Sequence, residues 1–203
     1  HGARLWSADG GPQTSGSADV DAALARGLRH IGRRFGVRPG FGFAPAVENA
    51  FATPQRILPG TDGSLIFGLP LLRKTLTDDA SGVGVMSIIA HEFGHILQYA
   101  NGYHARLMRP RGVKLIELHA DYLAGFYMGG RADRDGTVDL EPFGQLFHSL
   151  GDRNFGSRGH HGTPEERLAA IGRGLALGHN LPTAPIATVL ARGANVIEKE
   201  FRT

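Results

Sequence analysis

The sequence predicts a mainly helical α+β fold with a small β-sheet. Several long segments repeat apolar residues at helical spacing, and one segment between them breaks into short apolar runs separated by Pro and Gly. The chain has 203 residues, 41% of them hydrophobic, which is enough to bury one compact core. No run approaches the roughly 18 uninterrupted apolar residues of a membrane span, so we expect none.

Three regions are predicted along the chain. Residues 1–19 form a flexible N-terminal lead-in, because residues 7–19 are rich in Gly, Ser and Asp. Residues 20–178 form the main domain. Residues 179–203 form a C-terminal tail with a last helix, whose inner side carries Ile186, Val189, Leu190 and Val196.

The first elements follow from local spacing. A helix is expected from Val20, with Gly36 as its C-cap. Short strands and a hairpin follow, with the turn GTDGS between RIL at 56–58 and LIFG at 65–68.

Three further helices are predicted. One covers residues 82–101 and stops at Gly102, and a second covers about 113–128. A third begins at Thr163, because Pro164 follows at the first helical position and Glu166 completes a capping box.

The first of these helices carries the motif HEFGH at residues 91–95, an HExxH pattern. Because successive helical residues turn by about 100°, His91 and His95 lie on one face and can reach one ion. Glu92 is displaced around the helix, where its carboxylate can act as a general base on water. The alternative is two histidines that share a buried helix by chance, although each ring nitrogen then needs another partner.

The next helix carries ELHAD, in which Glu117 and Asp121 share a face. The chain has no cysteine, so a metal must be held by His, Asp or Glu. Glu117 is predicted as the third zinc ligand, and Asp121 as the acceptor that orients His91 or His95. His119 should point away. The alternative for both carboxylates is a buried polar contact between helices.

These residues resemble the gluzincin zinc metallopeptidases, in which a later helix supplies a glutamate ligand. NAFATP at 49–54 is similar to a segment of the peptidases related to the CAAX prenyl endopeptidase and the bacterial heat-shock membrane protease. ELHADYLAGFYMG and HGTPEERLAAIGRG resemble the bacterial neutral zinc metallopeptidases. The resemblance covers about residues 45–178, and small soluble relatives are the better analogy.

The resemblance implies a zincin-like fold and a zinc-dependent endopeptidase that hydrolyses peptide bonds with Glu92 as general base. The oxyanion needs a donor besides the metal, and His160, His161, Arg167 and three tyrosines, Tyr99, Tyr103 and Tyr122, are candidates by their chemistry. The resemblance favours His161 and Arg167. The relatives have a His-Pro pair where this chain has His161 and Gly162. The alternative is structural: a histidine closing a loop and an arginine paired with Glu165, Glu166 or Asp121.

The expected partner is a peptide or protein substrate, bound along an edge strand for which SLIFG at 64–68 is the candidate. A zinc-bearing peptide-binding or chaperone-like module with little turnover is the alternative function. A net charge of +3 allows a nucleic-acid binder, but no recognised nucleic-acid motif favours one. The chain begins with His1, which fits a trimmed chain or a mature protein, and the latter favours a periplasmic or secreted location.

Overall fold

The computed structural model describes residues 5–7, 14–108, 112–132 and 161–201. It confirms the α+β class, since helices predominate beside one small sheet. The chain divides into two compact units, His1–Ala100 and Asn101–Thr203, which are described one at a time. His160, one of the candidate donors to the oxyanion, lies outside the described residues.

In the first unit, the described residues form a four-stranded sheet and three helices. The strands are β1 (Leu5–Ser7), β2 (Gly40–Ala44), β3 (Ala50–Thr53) and β4 (Ser64–Gly68). The helices are α1 (Ala18–Phe35), α2 (Leu69–Asp78) and α3 (Val83–Ala100). The strand order is β1-β2-β4-β3. Strands β1, β2 and β4 are parallel to one another, and β3 is antiparallel to β4.

The prediction of SLIFG as an edge strand was wrong. This segment is β4, which pairs with β2 on one side and β3 on the other. All five of its residues are buried, as expected for a strand covered on both faces. Among the strands that the structure describes, β1 and β3 are the edges.

The hairpin also differs from its prediction. The strand antiparallel to β4 is AFAT at Ala50–Thr53, and the RIL segment belongs to the connection. The Ser64 hydroxyl donates to the carbonyl of Gln55 and accepts from the backbone N–H of Ile57. These bonds hold the connection against the start of β4 without adding it to the sheet.

Helix α1 begins earlier than predicted. Ser17 is its N-cap and accepts from the backbone N–H of Val20, so the helix starts inside the range 1–19 assigned to the lead-in, which also contains β1. Gly36 ends it with a φ of +69°, as predicted. The Phe35 ring lies 6.5 Å from that of Phe93 in α3, so the two helices share the core of this unit.

Helix α3 begins at a turn built around Asp79. Burial by itself would raise the pKa of this carboxyl. Hydrogen bonds from the Ser81 hydroxyl and from the backbone N–H groups of Gly84, Ser81 and Val83 outweigh that effect, and the pKa lies below its ordinary value. The carboxylate therefore satisfies N–H groups that the first turn of a helix leaves open.

The second unit contains helices α4 (Tyr103–Leu107), α5 (Lys114–Ala132), α6 (Pro164–Asn180) and α7 (Ile186–Glu200). The capping box of Thr163 and Glu166 is confirmed at the start of α6. The Glu166 carboxylate also accepts from Lys114 Nζ at 3.0 Å, which fixes this end of α6 to the beginning of α5.

The last helix lies within the tail predicted at 179–203. Val189 and Leu190 are buried as expected, whereas Ile186 and Val196 are only partly buried. Gly193 allows α7 to approach α5, because a Cβ there would stand 2.6 Å from the ring of Tyr122. Within the described residues, no helix combines the length and apolar character required to cross a membrane.

Candidate metal centre

The two histidines of HEFGH converge on one face of α3, as their spacing predicts. His91 is buried and His95 is partly buried. Their Nε2 atoms lie 3.0 Å apart, and the rings stand at 86° with centroids 4.7 Å apart. Two nitrogens bound tetrahedrally to one zinc ion at about 2.0–2.1 Å would be separated by roughly 3.3 Å. The observed separation therefore suits a shared ion.

Glu92 lies between them in sequence and is only 6% exposed. Its position on α3 is about 100° around the helix from His91, as the motif requires. A buried carboxylate adjacent in sequence to a candidate metal ligand is a candidate general base.

His91, His95 and the predicted third ligand Glu117 supply ligand atoms of the kinds that could hold a metal ion, and they are the group of this type found among the described residues. Glu117 is partly buried in the first turn of α5. Two imidazoles and one carboxylate form a donor set found in catalytic zinc sites, so the residues present fit zinc.

Asp121 and Arg167 form a buried ion pair. Nε of Arg167 donates to Oδ2 of Asp121 and Nη2 donates to Oδ1, both at 2.7 Å. The side chains are 5% and 0% exposed for Arg167 and Asp121, respectively. This is one of the pairings considered above for Arg167 in a structural role. The bidentate contact joins the start of α6 to α5.

His161 is exposed and immediately precedes Gly162. Gly162 has a φ of +96°, and a Cβ there would stand 3.0 Å from the Leu118 side chain. The backbone at Gly162 therefore lies against Leu118 of α5, the residue that follows Glu117. This places the segment that carries His161 close to the start of α5.

The remaining candidates take part in packing around α5. His119, predicted to point away from the ligands, donates from Nε2 to the carbonyl of Leu190 at 3.1 Å. Its ring lies 5.6 Å from that of Tyr103. Tyr122 is buried, which raises the pKa of its hydroxyl, while the positive charge of Arg192 lowers it to a smaller extent.

Sequence reasoning missed Gln98. This side chain is fully buried, and its Oε1 lies 3.0 Å from Nδ1 of His95. The sequence indicates it in one way: Gln98 is a polar residue that directly follows the apolar Ile96 and Leu97 in α3. It is three residues after His95 and hence on the same face of the helix. The sequence argument named Asp121 as the orienting group, and that assignment stays a prediction.

Comparisons with known proteins give no relative for this chain: no family model, no curated protein and no solved structure matches it.

Proposed function

We propose that the protein is a zinc-dependent endopeptidase of the gluzincin type, with His91, His95 and Glu117 as the metal ligands and Glu92 as the general base. The observation that carries the proposal is the close approach of the two Nε2 atoms on α3, at 3.0 Å, beside the buried Glu92. A metal site with a purely structural role does not require a buried carboxylate adjacent in sequence to a ligand, so Glu92 favours a catalytic role. Zinc when bound supplies Lewis-acid activation of water and of the scissile carbonyl.

The chain's own residues supply the proton transfers. Glu92 accepts a proton from the attacking water at a carboxylate oxygen and later donates it to the leaving amine. His161 is retained as a donor to the oxyanion, because the chain around it lies along the first turns of α5. Arg167 acts through Asp121, since two of its nitrogens already bond that carboxylate. This ion pair holds the start of α6 in place.

Strand β3 replaces β4 as the candidate strand for substrate binding. β3 lies at an edge of the described sheet and contacts α3, the helix of the two histidines. A peptide in extended conformation could add to this edge through backbone hydrogen bonds. The side chain of Phe51 in β3 is 44% exposed, which favours substrates with apolar side chains beside it.

Metal analysis combined with a peptide-library cleavage assay tests the proposal. We expect about one zinc ion per chain, and cleavage that stops with a chelator and returns with added zinc. His95→Gln and Glu117→Gln should each lose zinc and activity. The matched controls are His179→Gln and Glu165→Gln on the exposed face of α6, which should retain both.

The outcomes separate the alternatives. A protein that binds zinc and peptides without cleaving any would be a binding or chaperone-like module. Full cleavage after the loss of zinc, or unchanged zinc content in both ligand variants, would contradict the proposal.

A further inference from the structure

Gln98 is placed behind His95, on the side of the ring away from His91. The two side chains are three residues apart on α3, and Oε1 of Gln98 lies 3.0 Å from Nδ1 of His95. Nε2 of the same ring faces Nε2 of His91. The imidazole is therefore held at one nitrogen while the other is directed at the candidate metal position.

The chemistry of this contact determines the tautomer. An amide oxygen only accepts hydrogen bonds, so Nδ1 of His95 must be the donor. A neutral imidazole has one N–H, and its proton on Nδ1 leaves a lone pair on Nε2. A metal ligand needs that lone pair on the nitrogen that faces the ion.

We propose that Gln98 is a positioning residue of the metal centre, which keeps the lone pair of His95 on Nε2 and fixes the orientation of the ring. This inference rests on the proposed zinc site. Removing the partner of a metal-bound histidine typically weakens metal affinity about 10- to 100-fold, and we expect that loss here. The competing role for a side chain that is fully buried is to fill space in the helix face.

Three variants separate the two roles. Gln98→Met has a similar length but no amide oxygen, so it removes the acceptor and preserves much of the packing. Gln98→Glu keeps an acceptor at the same position. Ser87→Ala is the matched control, because Ser87 is also buried in α3, and its hydroxyl donates to the carbonyl of Val83 and not to His95.

Two measurements read the result. Zinc affinity, measured by competition with a chromophoric chelator, should fall about 10- to 100-fold in Gln98→Met and stay within about threefold of the wild type in Gln98→Glu and Ser87→Ala. Long-range ¹H–¹⁵N spectra of the histidine rings should find His95 protonated at Nδ1 in the wild type. In Gln98→Met, before zinc is added, they should show a larger share of the Nε2–H form.

Equal zinc affinity in a folded Gln98→Met would overturn the inference, as would an Nε2–H tautomer of His95 in the wild type. The spectrum of the wild type decides the matter even if Gln98→Met fails to fold. A wild type that binds no zinc would refute the proposed metal site itself, whereas the loss of the Gln98 effect alone would leave that site intact.

Discussion

At the scale of single residues, His91 and His95 converge because residues four apart on one helix share a face. The pairing of Asp121 with Arg167 depends on more than one helix. It requires α6 to pack on α5, so spacing along the chain does not predict it. The contact between Gln98 and His95 could have been predicted from spacing, because the two residues share one face of α3.

The Asp121–Arg167 pair gives a prediction at this scale. Replacement of Arg167 by methionine leaves a buried carboxylate without its guanidinium, so the free energy of unfolding should fall by about 3–5 kcal/mol. The double variant Asp121→Leu with Arg167→Met should recover part of this loss, since no buried charge remains. Urea unfolding of the two single variants and the double variant measures the coupling.

Lys74 and Asp78 provide the exposed comparison, because their side chains are 74% and 60% exposed. Lys74→Met should change the free energy of unfolding by less than about 1 kcal/mol. If the effects of the two replacements at Asp121 and Arg167 were simply additive, the buried pair would not be the coupled unit that its geometry indicates.

At the scale of elements, the helix ends were largely predictable and the strand order was not. The ends at Gly36 and Thr163 depend on residues within a few positions of the cap. The order β1-β2-β4-β3 depends on pairing between distant segments, so an apolar run such as SLIFG could not be assigned to an edge or to the interior.

The packing of α5 on α6 gives a second prediction. Glycines on both helices allow close approach of the two backbones: a Cβ at Gly174 would stand 2.0 Å from the carbonyl oxygen of Tyr122, and one at Gly178 would stand 2.1 Å from that of Phe126. A backbone oxygen cannot move aside as a flexible side chain can. We expect Gly174→Ala to lower the free energy of unfolding by at least about 1–3 kcal/mol.

Gly172 is the matched control in the same helix. A Cβ at Gly172 meets no atom within 4 Å. Gly172→Ala should therefore raise the free energy of unfolding by up to about 1 kcal/mol, through the higher helix propensity of alanine. Thermal and urea unfolding should thus give opposite signs for the two variants, and equal effects would contradict the close packing of α5 and α6.

At the scale of the whole molecule, the proposed activity depends on a base and two ligands on α3 and on a third ligand on α5. Glu92 is the sharpest residue to test, because it is adjacent to a ligand in sequence but has a different role. Its replacement by glutamine preserves the size of a buried side chain and removes the basic oxygen.

The most direct measurement is the rate of peptide cleavage by wild type and Glu92→Gln at equal zinc occupancy, which metal analysis establishes for both. We expect the variant to fold and to bind zinc like the wild type, with cleavage reduced by at least about 10²-fold, the usual contribution of a general base. A variant that cleaves as fast as the wild type would contradict the assignment of Glu92 as the base and the endopeptidase mechanism built on it.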